Sequence, residues 1–291
     1  MDPVKKSLIT LHLAVVLLGG TGLFSNIIPL SAIDITLGRS LFACLALCLF
    51  VRAGREHLRL ERRLDYFIAI GLGMLMAAHW ATYFASMQYA GVSVGMIAMF
   101  TFPVITVLME PLFEKTRLAW QDMLSALVVV IGIVLIVPEV SLDNDVTLGV
   151  GLGIISAVLY AVRNLSLRKY FSHYSGARSM AWQTLIIVLC LLPFSELPQT
   201  QQETSVWLLL LLLGTAFTAL PHALVANSLA HLRAKTFSLI ACMQPFYGVI
   251  FAIILLHESP GWQTLLGGIL VTSASIYETV NTHKSASATN E

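Results

Sequence analysis

The stretch Tyr66–Gln88, YFIAIGLGMLMAAHWATYFASMQ, contains no Asp, Glu, Lys or Arg. A bilayer's hydrocarbon core is roughly 30 Å thick, and about 20 helical residues cross it. The run is long enough to do so with nothing charged left in lipid. Ser205–Ala230 and Ser259–Tyr277 are equally free of those four residue types. Three such runs in one chain predict a polytopic membrane protein, and because lipid leaves no water for unpaired backbone groups, each span is read as a helix.

Composition agrees. The chain is 57% hydrophobic and 11% charged, where a soluble domain carries about twice that charged share. A mean hydropathy of +0.82 leaves too little polar surface to coat a soluble core. The net charge of +1 offers no basic excess to neutralise phosphate, which excludes nucleic acid as an expected partner. Cys44, Cys48, Cys190 and Cys242 all fall in apolar segments with no His at metal-ligand spacing, so they are read as small packing residues. No H-E-x-x-H, P-loop or G-x-S-x-G motif is present, so no catalytic residue, metal or organic cofactor is expected, nor ATP-driven pumping. The first apolar stretch lacks an A-x-A-like cleavage site and is read as a retained helix.

Helices are predicted at 8–28, 33–52, 64–87, 92–113, 118–137, 147–168, 177–194, 206–229, 235–256 and 260–278. With the N-terminus inside, every Lys and Arg except Arg39 falls on the cytoplasmic side. Asp34, Glu139, Asp143, Asp145, Glu196, Glu203 and Glu258 lie outside. Basic residues retained on one side support an even number of spans with both termini cytoplasmic. Arg163 and Arg168 are expected near a helix end, where long side chains snorkel to the interface.

The sequence also repeats itself. Laying Phe102-Pro103-Val104 over Gln244-Pro245-Phe246 places Trp120-Gln121 over Trp262-Gln263 without a gap, and Ala85-Ser86-Met87 over Asn227-Ser228-Leu229. Each half then holds five helices. An odd number sends the second copy into the membrane upside down, which predicts a pseudo-two-fold axis in the membrane plane.

Those residues carry a family resemblance. Pro103 to Glu114 and on to Gly132, and Pro245 to Glu258 and on to Gly267-Gly268, resemble the paired EamA repeats of the drug/metabolite transporter superfamily. The shared pattern is a helix with Pro, an acidic residue at its end, then a Gln-containing start to a Gly-rich last helix. Arg39 falls where that family often has a basic residue. The first half departs from the pattern: Pro103 to Glu114 is the shorter stretch and Pro111 interrupts it, so no role is carried to Glu114. The resemblance implies an all-α integral membrane protein of ten transmembrane helices in two inverted five-helix repeats, residues 1–140 and 146–280, with 281–291 as a cytoplasmic tail. It further implies a secondary transporter of a bacterial inner membrane. Such a protein exports amino acids or other small metabolites by alternating access through a central cavity.

Candidate substrate-binding residues are polar side chains at mid-membrane depth, where each costs free energy unless paired or facing water. His79, Trp80 and Tyr83 lie in the third helix. In the repeat alignment Trp80 meets His222 of the eighth, so inversion would bring both histidines to one central plane. Imidazoles titrate near neutral pH, which makes a proton-coupled cycle physically available; the bland alternative is one hydrogen bond to a neighbouring backbone. Gln244 and Tyr247 flank Pro245, which frees a carbonyl in the preceding turn and makes this stretch a candidate cavity wall. Pro103 and Pro221 are comparable weak points. Arg39 either snorkels outward toward Asp34 or faces a wet cavity and meets a carboxylate. Asn26 and Asn164 are candidate cavity amides, while Glu110 and Asp122 sit close enough to the cytoplasmic interface to need no special role.

The partners implied are a small-molecule metabolite and membrane lipid. An intramembrane enzyme, a non-transporting membrane protein and a multidrug exporter of organic cations are the competing classes. The lack of a mid-membrane carboxylate weighs against the cation exporter.

Overall fold

The computed structural model describes residues 3–113, 118, 120–136, 144–197, 202–229 and 240–288. Among them every regular element is helical. The helices are α1 (Pro3–Gly20), α2 (Ala32–Ala53), α3 (Arg63–Ala90), α4 (Val92–Met99), α5 (Phe102–Phe113), α6 (Trp120–Ile136), α7 (Asp145–Tyr170), α8 (Gly176–Leu191), α9 (Thr204–Gly214), α10 (Leu220–Leu229), α11 (Gln244–Leu255) and α12 (Trp262–Ala288). A 3-10 turn at Thr21–Leu23 and a short helix at Phe24–Ile27 prolong α1, and a π-helical turn at Thr215–Ala219 joins α9 to α10. Of the predicted landmarks, Glu114, Lys115, Arg117, Glu139, Asp143, Arg233, Lys235 and residues 235–239 of the ninth predicted helix lie outside the described residues.

Among the described residues, seven helical stretches are long and apolar enough to cross a membrane: Ser7–Ile27, Ala32–Ala53, Arg63–Ala90, Val92–Phe113, Asp145–Tyr170, Gly176–Phe194 and Thr204–Val225. Trp120–Ile136 and Gln244–Leu255 are shorter apolar helices. The outer surface explains the composition, since Leu49, Phe67, Met74, Leu127, Val134 and Ile254 all face outward, as lipid-facing positions do. The last helix runs to Ala288, so most of the segment expected as a tail continues it.

Local chemistry sets the ends of these helices. Ser31 caps α2 by accepting the Asp34 N–H at 3.1 Å, and its hydroxyl returns a bond to Asp34 Oδ2 at 2.7 Å. Asn144 caps α7 and Ser175 caps α8 in the same way, each satisfying one of the donors a helix start leaves orphaned.

Among the described residues, two of the predicted helices break at a non-helical turn, both beside proline. The predicted helix 92–113 turns at Phe100–Thr101, between α4 and α5, and a second turn at Cys242–Met243 precedes α11. These two turns are equivalent positions in the repeat alignment. Pro103 cannot donate to the preceding turn. The helix turns there, and the Ser275 hydroxyl donates to the Phe100 carbonyl within the turn at 3.0 Å.

The two halves interlock rather than sit side by side. α3 packs along α7 and α8, α2 along α8, α1 along α10 and α11, and α6 along α12. Small residues permit the close approaches: Gly153 lies against Ala98 and Ser86, and Gly19 against Tyr247. Most of the buried apolar core is shared between halves, from Phe84 and Met87 of α3 to Ile187 of α8 and Leu210 of α9.

Candidate functional site

A cavity of about 650 Å³ lies between the two halves. That is within the roughly 300–1,000 Å³ of small-molecule sites. It runs from Arg39, Trp80 and Tyr83 at its deep end to Glu110 and Arg168 at its mouth, near the end that carries the α2–α3 connection. Six of the seven predicted residues line it: Arg39, His79, Trp80, Tyr83, His222 and Gln244. Tyr247 does not. It is half-buried behind the wall, packed with Leu11, Val15 and Ile240, because the turn at Cys242–Met243 gives Gln244 the cavity-facing position at the start of α11.

The deep end is built around Arg39, which is 2% exposed. Its guanidinium carbon sits 4.1 Å from the centroid of the Trp80 ring and 5.0 Å from that of Phe84. Nη2 donates to the Thr218 hydroxyl at 3.0 Å, and that hydroxyl donates in turn to the Leu213 carbonyl at 2.7 Å. Thr218 belongs to the π-helical turn, whose extra residue per turn brings its side chain onto α2. Asp34 takes no part. Its carboxylate is occupied by Ser31, by the Ser195 hydroxyl at 2.5 Å and by the N–H groups of Glu196 and Leu197. Arg39 therefore lines the cavity and does not snorkel toward Asp34, but among the described residues it meets a threonine hydroxyl there and not the expected carboxylate.

The middle of the cavity is aromatic. His79 stacks on Tyr160 at 4.6 Å between centroids and lies parallel to Tyr83 at 6.1 Å. Trp80 meets His222 edge-on at 6.5 Å, so the two histidine-bearing elements of opposite halves do converge. His79 Nδ1 is 3.0 Å from the Ser156 carbonyl, and His222 Nδ1 is 2.7 Å from the Thr218 carbonyl. A carbonyl only accepts, so both rings carry their proton on Nδ1 and keep Nε2 as an acceptor when neutral. The Ser156 hydroxyl, 2.8 Å from the same Nδ1, also reaches the His79 carbonyl at 3.0 Å and locks α3 to α7.

Two wall residues escaped the sequence reading. Tyr160 joins His79 to Phe102, whose ring is 4.9 Å away. Arg163 corrects an expectation: it does not snorkel, because Gln183 of α8 holds its guanidinium inside. It is 9% exposed, and its guanidinium bonds Gln183 Oε1 and Asn164 Oδ1, both at 2.8 Å. Ser156 and Arg163 share one face of α7 at helical spacing, and a serine and an arginine on an otherwise apolar helix were the available signal for Arg163. Arg168 does lie at the mouth, paired with Glu110 at 2.5 Å, which gives Glu110 a place at the site. Asn26 is not part of the lining, whereas Asn164 is.

Comparison with known proteins now has a geometry to attach to. The family model of the EamA-like transporter family matches twice, over residues 5–137 and 147–277. The chain is 23% identical over 292 aligned positions to an uncharacterized transporter of Bacillus subtilis (strain 168), covering 98% of this chain and 93% of that one. It is 25% identical over 219 positions to the biotin transporter of Escherichia coli (strain K12), covering 72% and 73%. A solved crystal structure superposes with a TM-score of 0.62 at 15% identity, over 94% of this chain and 98% of that one, which supports the fold. Matched over both of its halves, this multi-pass membrane protein belongs to the EamA-like transporter family.

Proposed function

We propose that the protein is a secondary transporter that exports amino acids or related small metabolites by alternating access between its two halves. The observation that carries this reading is the cavity itself. It lies between the halves, is lined from both, and gathers Arg39, His79, Trp80, Tyr83, His222 and Gln244 at depths where polar groups are costly without a purpose. The transporters among its relatives, one of them a biotin transporter, support a small-molecule cargo.

In this proposal the chain has ten spans in two inverted repeats, residues 1–140 and 146–280. Both termini lie in the cytoplasm of a bacterium and the spans cross its inner membrane. The equivalent turns at Phe100–Thr101 and Cys242–Met243 support the repeat, because broken helices at corresponding positions are where inverted-repeat transporters build their sites. The cavity mouth at Glu110 and Arg168 then faces the cytoplasm, as an exporter's loading state requires. Lipid surrounds the bundle, and the two imidazoles leave proton coupling available.

Counterflow in proteoliposomes tests the reading, with labelled amino acids, nucleosides and organic cations against protein-free vesicles. Saturable exchange of one chemical class is expected. Verified folded protein that exchanges none of them would end the proposal.

A further inference from the structure

The deep end of the cavity holds a cation without a counter-ion. Among the described residues Arg39 has no carboxylate partner, and its Nε has no hydrogen-bond partner at all. A guanidinium carries five N–H donors in one plane. Trp80 and Phe84 lie against its faces and Thr218 takes one donor, so the Nε edge is left unmatched. The Tyr83 hydroxyl, on a residue 5% exposed in the same wall, also lacks a partner. Arg163, the second buried guanidinium, bonds only neutral groups: Gln183, Asn164 and the Met180 sulfur. Among the described residues the one carboxylate in the lining is Glu110, which lies at the mouth and is held by Arg168.

An ionised group in a low-dielectric site is costly until it is paired. Here the pairing is missing on the protein side. We propose that the cargo supplies it: the transported molecule is a net-anionic carboxylate with an apolar body. Its carboxylate sits on the Nε edge of Arg39 beside the Tyr83 hydroxyl, and its body lies against Trp80 and the His79–Tyr160 stack. The inference rests on the transporter reading of the same cavity and narrows it. Planar donors at fixed spacing suit a carboxylate. At the deep end a cation would face two guanidiniums with only neutral acceptors among the described residues, Glu110 being held at the mouth by Arg168. An amino acid's ammonium group meets the same difficulty. Deaminated or N-acylated carboxylates are therefore preferred to the parent amino acids.

The test uses matched ligands on the phenylalanine, leucine and tryptophan skeletons. Each set comprises the N-acetyl acid (anion), the amino acid (zwitterion), the N-acetyl amide (neutral) and the amino acid amide (cation). Thermal stabilisation of the full chain in detergent gives apparent affinities. On at least one skeleton the anion is expected to bind about tenfold or more tighter than its three relatives. That preference should be lost in Arg39→Gln and retained at lower affinity in Arg39→Lys, which keeps the charge but not the planar fork. Equal response to a neutral or cationic member overturns the proposal. So does an undiminished anion response in both variants, or no response to any anion on any skeleton. Counterflow with the same ligands separates the two readings. Anion binding without flux removes the transporter and leaves the anion site. Saturable flux of the cations alone does the reverse.

Discussion

The Glu258 carboxylate accepts both the backbone N–H and the hydroxyl of Ser93, at 3.1 and 2.7 Å. It also accepts the Val92 N–H at 2.7 Å. Ser93 opens α4 in the first half and is buried, while Glu258 follows α11 of the second. A carboxylate here satisfies the orphan donors of a helix start and meets the positive end of its dipole. The contact ties the halves together at the end opposite the cavity mouth, where Asp34 similarly fastens the Ser195–Leu197 turn to the start of α2.

Glu258→Gln should loosen that seal. The amide keeps one acceptor oxygen but loses the charge, and hydrogen bonds to charged groups are worth about 1.5–3 kcal/mol each. A cysteine at Met99, which lines the cavity, should then react severalfold faster with an impermeant maleimide added from the sealed end. Unchanged labelling would show that the contact does not hold that end closed.

Gly91 immediately precedes α4 beneath this contact. Its φ of 84° lies in the left-handed region, and a Cβ built there would sit 3.1 Å from Glu258 Oε1. With its ψ of 160° the residue lies in a region open almost only to glycine, so Gly91→Ala should cost about 1–3 kcal/mol from backbone strain, beyond any displacement of Glu258. Gly151→Ala is the internal comparison. It lies within α7 with no neighbour inside 4 Å, and a helix-interior Gly→Ala change gains about 0.5–1 kcal/mol. Thermal unfolding in detergent should move the two variants in opposite directions.

The spans were legible because charge is excluded from lipid whatever the tertiary contacts: Tyr66–Gln88 falls inside α3. Most of the site was legible for the same reason, since His79, His222 and Arg39 are anomalies on apolar helices. Arg163 was misread although the helix end was placed within two residues of Tyr170, because what holds its guanidinium inside is Gln183 of α8, a contact distant in sequence. Tyr160 carries no such anomaly, as a tyrosine on an apolar helix is ordinary. The Arg39–Trp80 stack and the Arg39–Thr218 bond join α2 to α3 and to the π-helical turn. No local pattern encodes either contact.

Trp80 and His222 offer a direct check on the converging wall. A desolvated cation–π contact is worth about 2 kcal/mol, and Trp80 holds the closer of the two ring contacts to Arg39. Trp80→Ala should reduce saturable counterflow by about tenfold or more, with Trp80→Phe intermediate. His222→Ala removes the ring that meets Trp80 edge-on and should weaken the same flux by a smaller factor. Full flux in both alanine variants, at matched protein incorporation, would place the cargo elsewhere.

Pro221 lies just after the π-helical turn that carries Thr218, the hydrogen-bond partner of Arg39. Proline has no N–H to give the Phe217 carbonyl one turn back, and the Thr21 hydroxyl reaches that carbonyl at 3.3 Å instead. The same region leaves the Thr218 carbonyl for His222 Nδ1. Pro221→Ala restores a donor that competes with Thr21 and favours an ordinary α-helical turn over the π-helical one. Straightening would rotate the Thr218 hydroxyl away from Arg39 and turn His222 off the cavity. The variant should therefore be at least as stable as the parent in thermal unfolding while losing severalfold in counterflow. A drop in both together would mean that the proline serves packing alone. Unchanged flux with raised stability would mean that the π-helical turn survives without it, held by the bond from Thr218 to the Leu213 carbonyl.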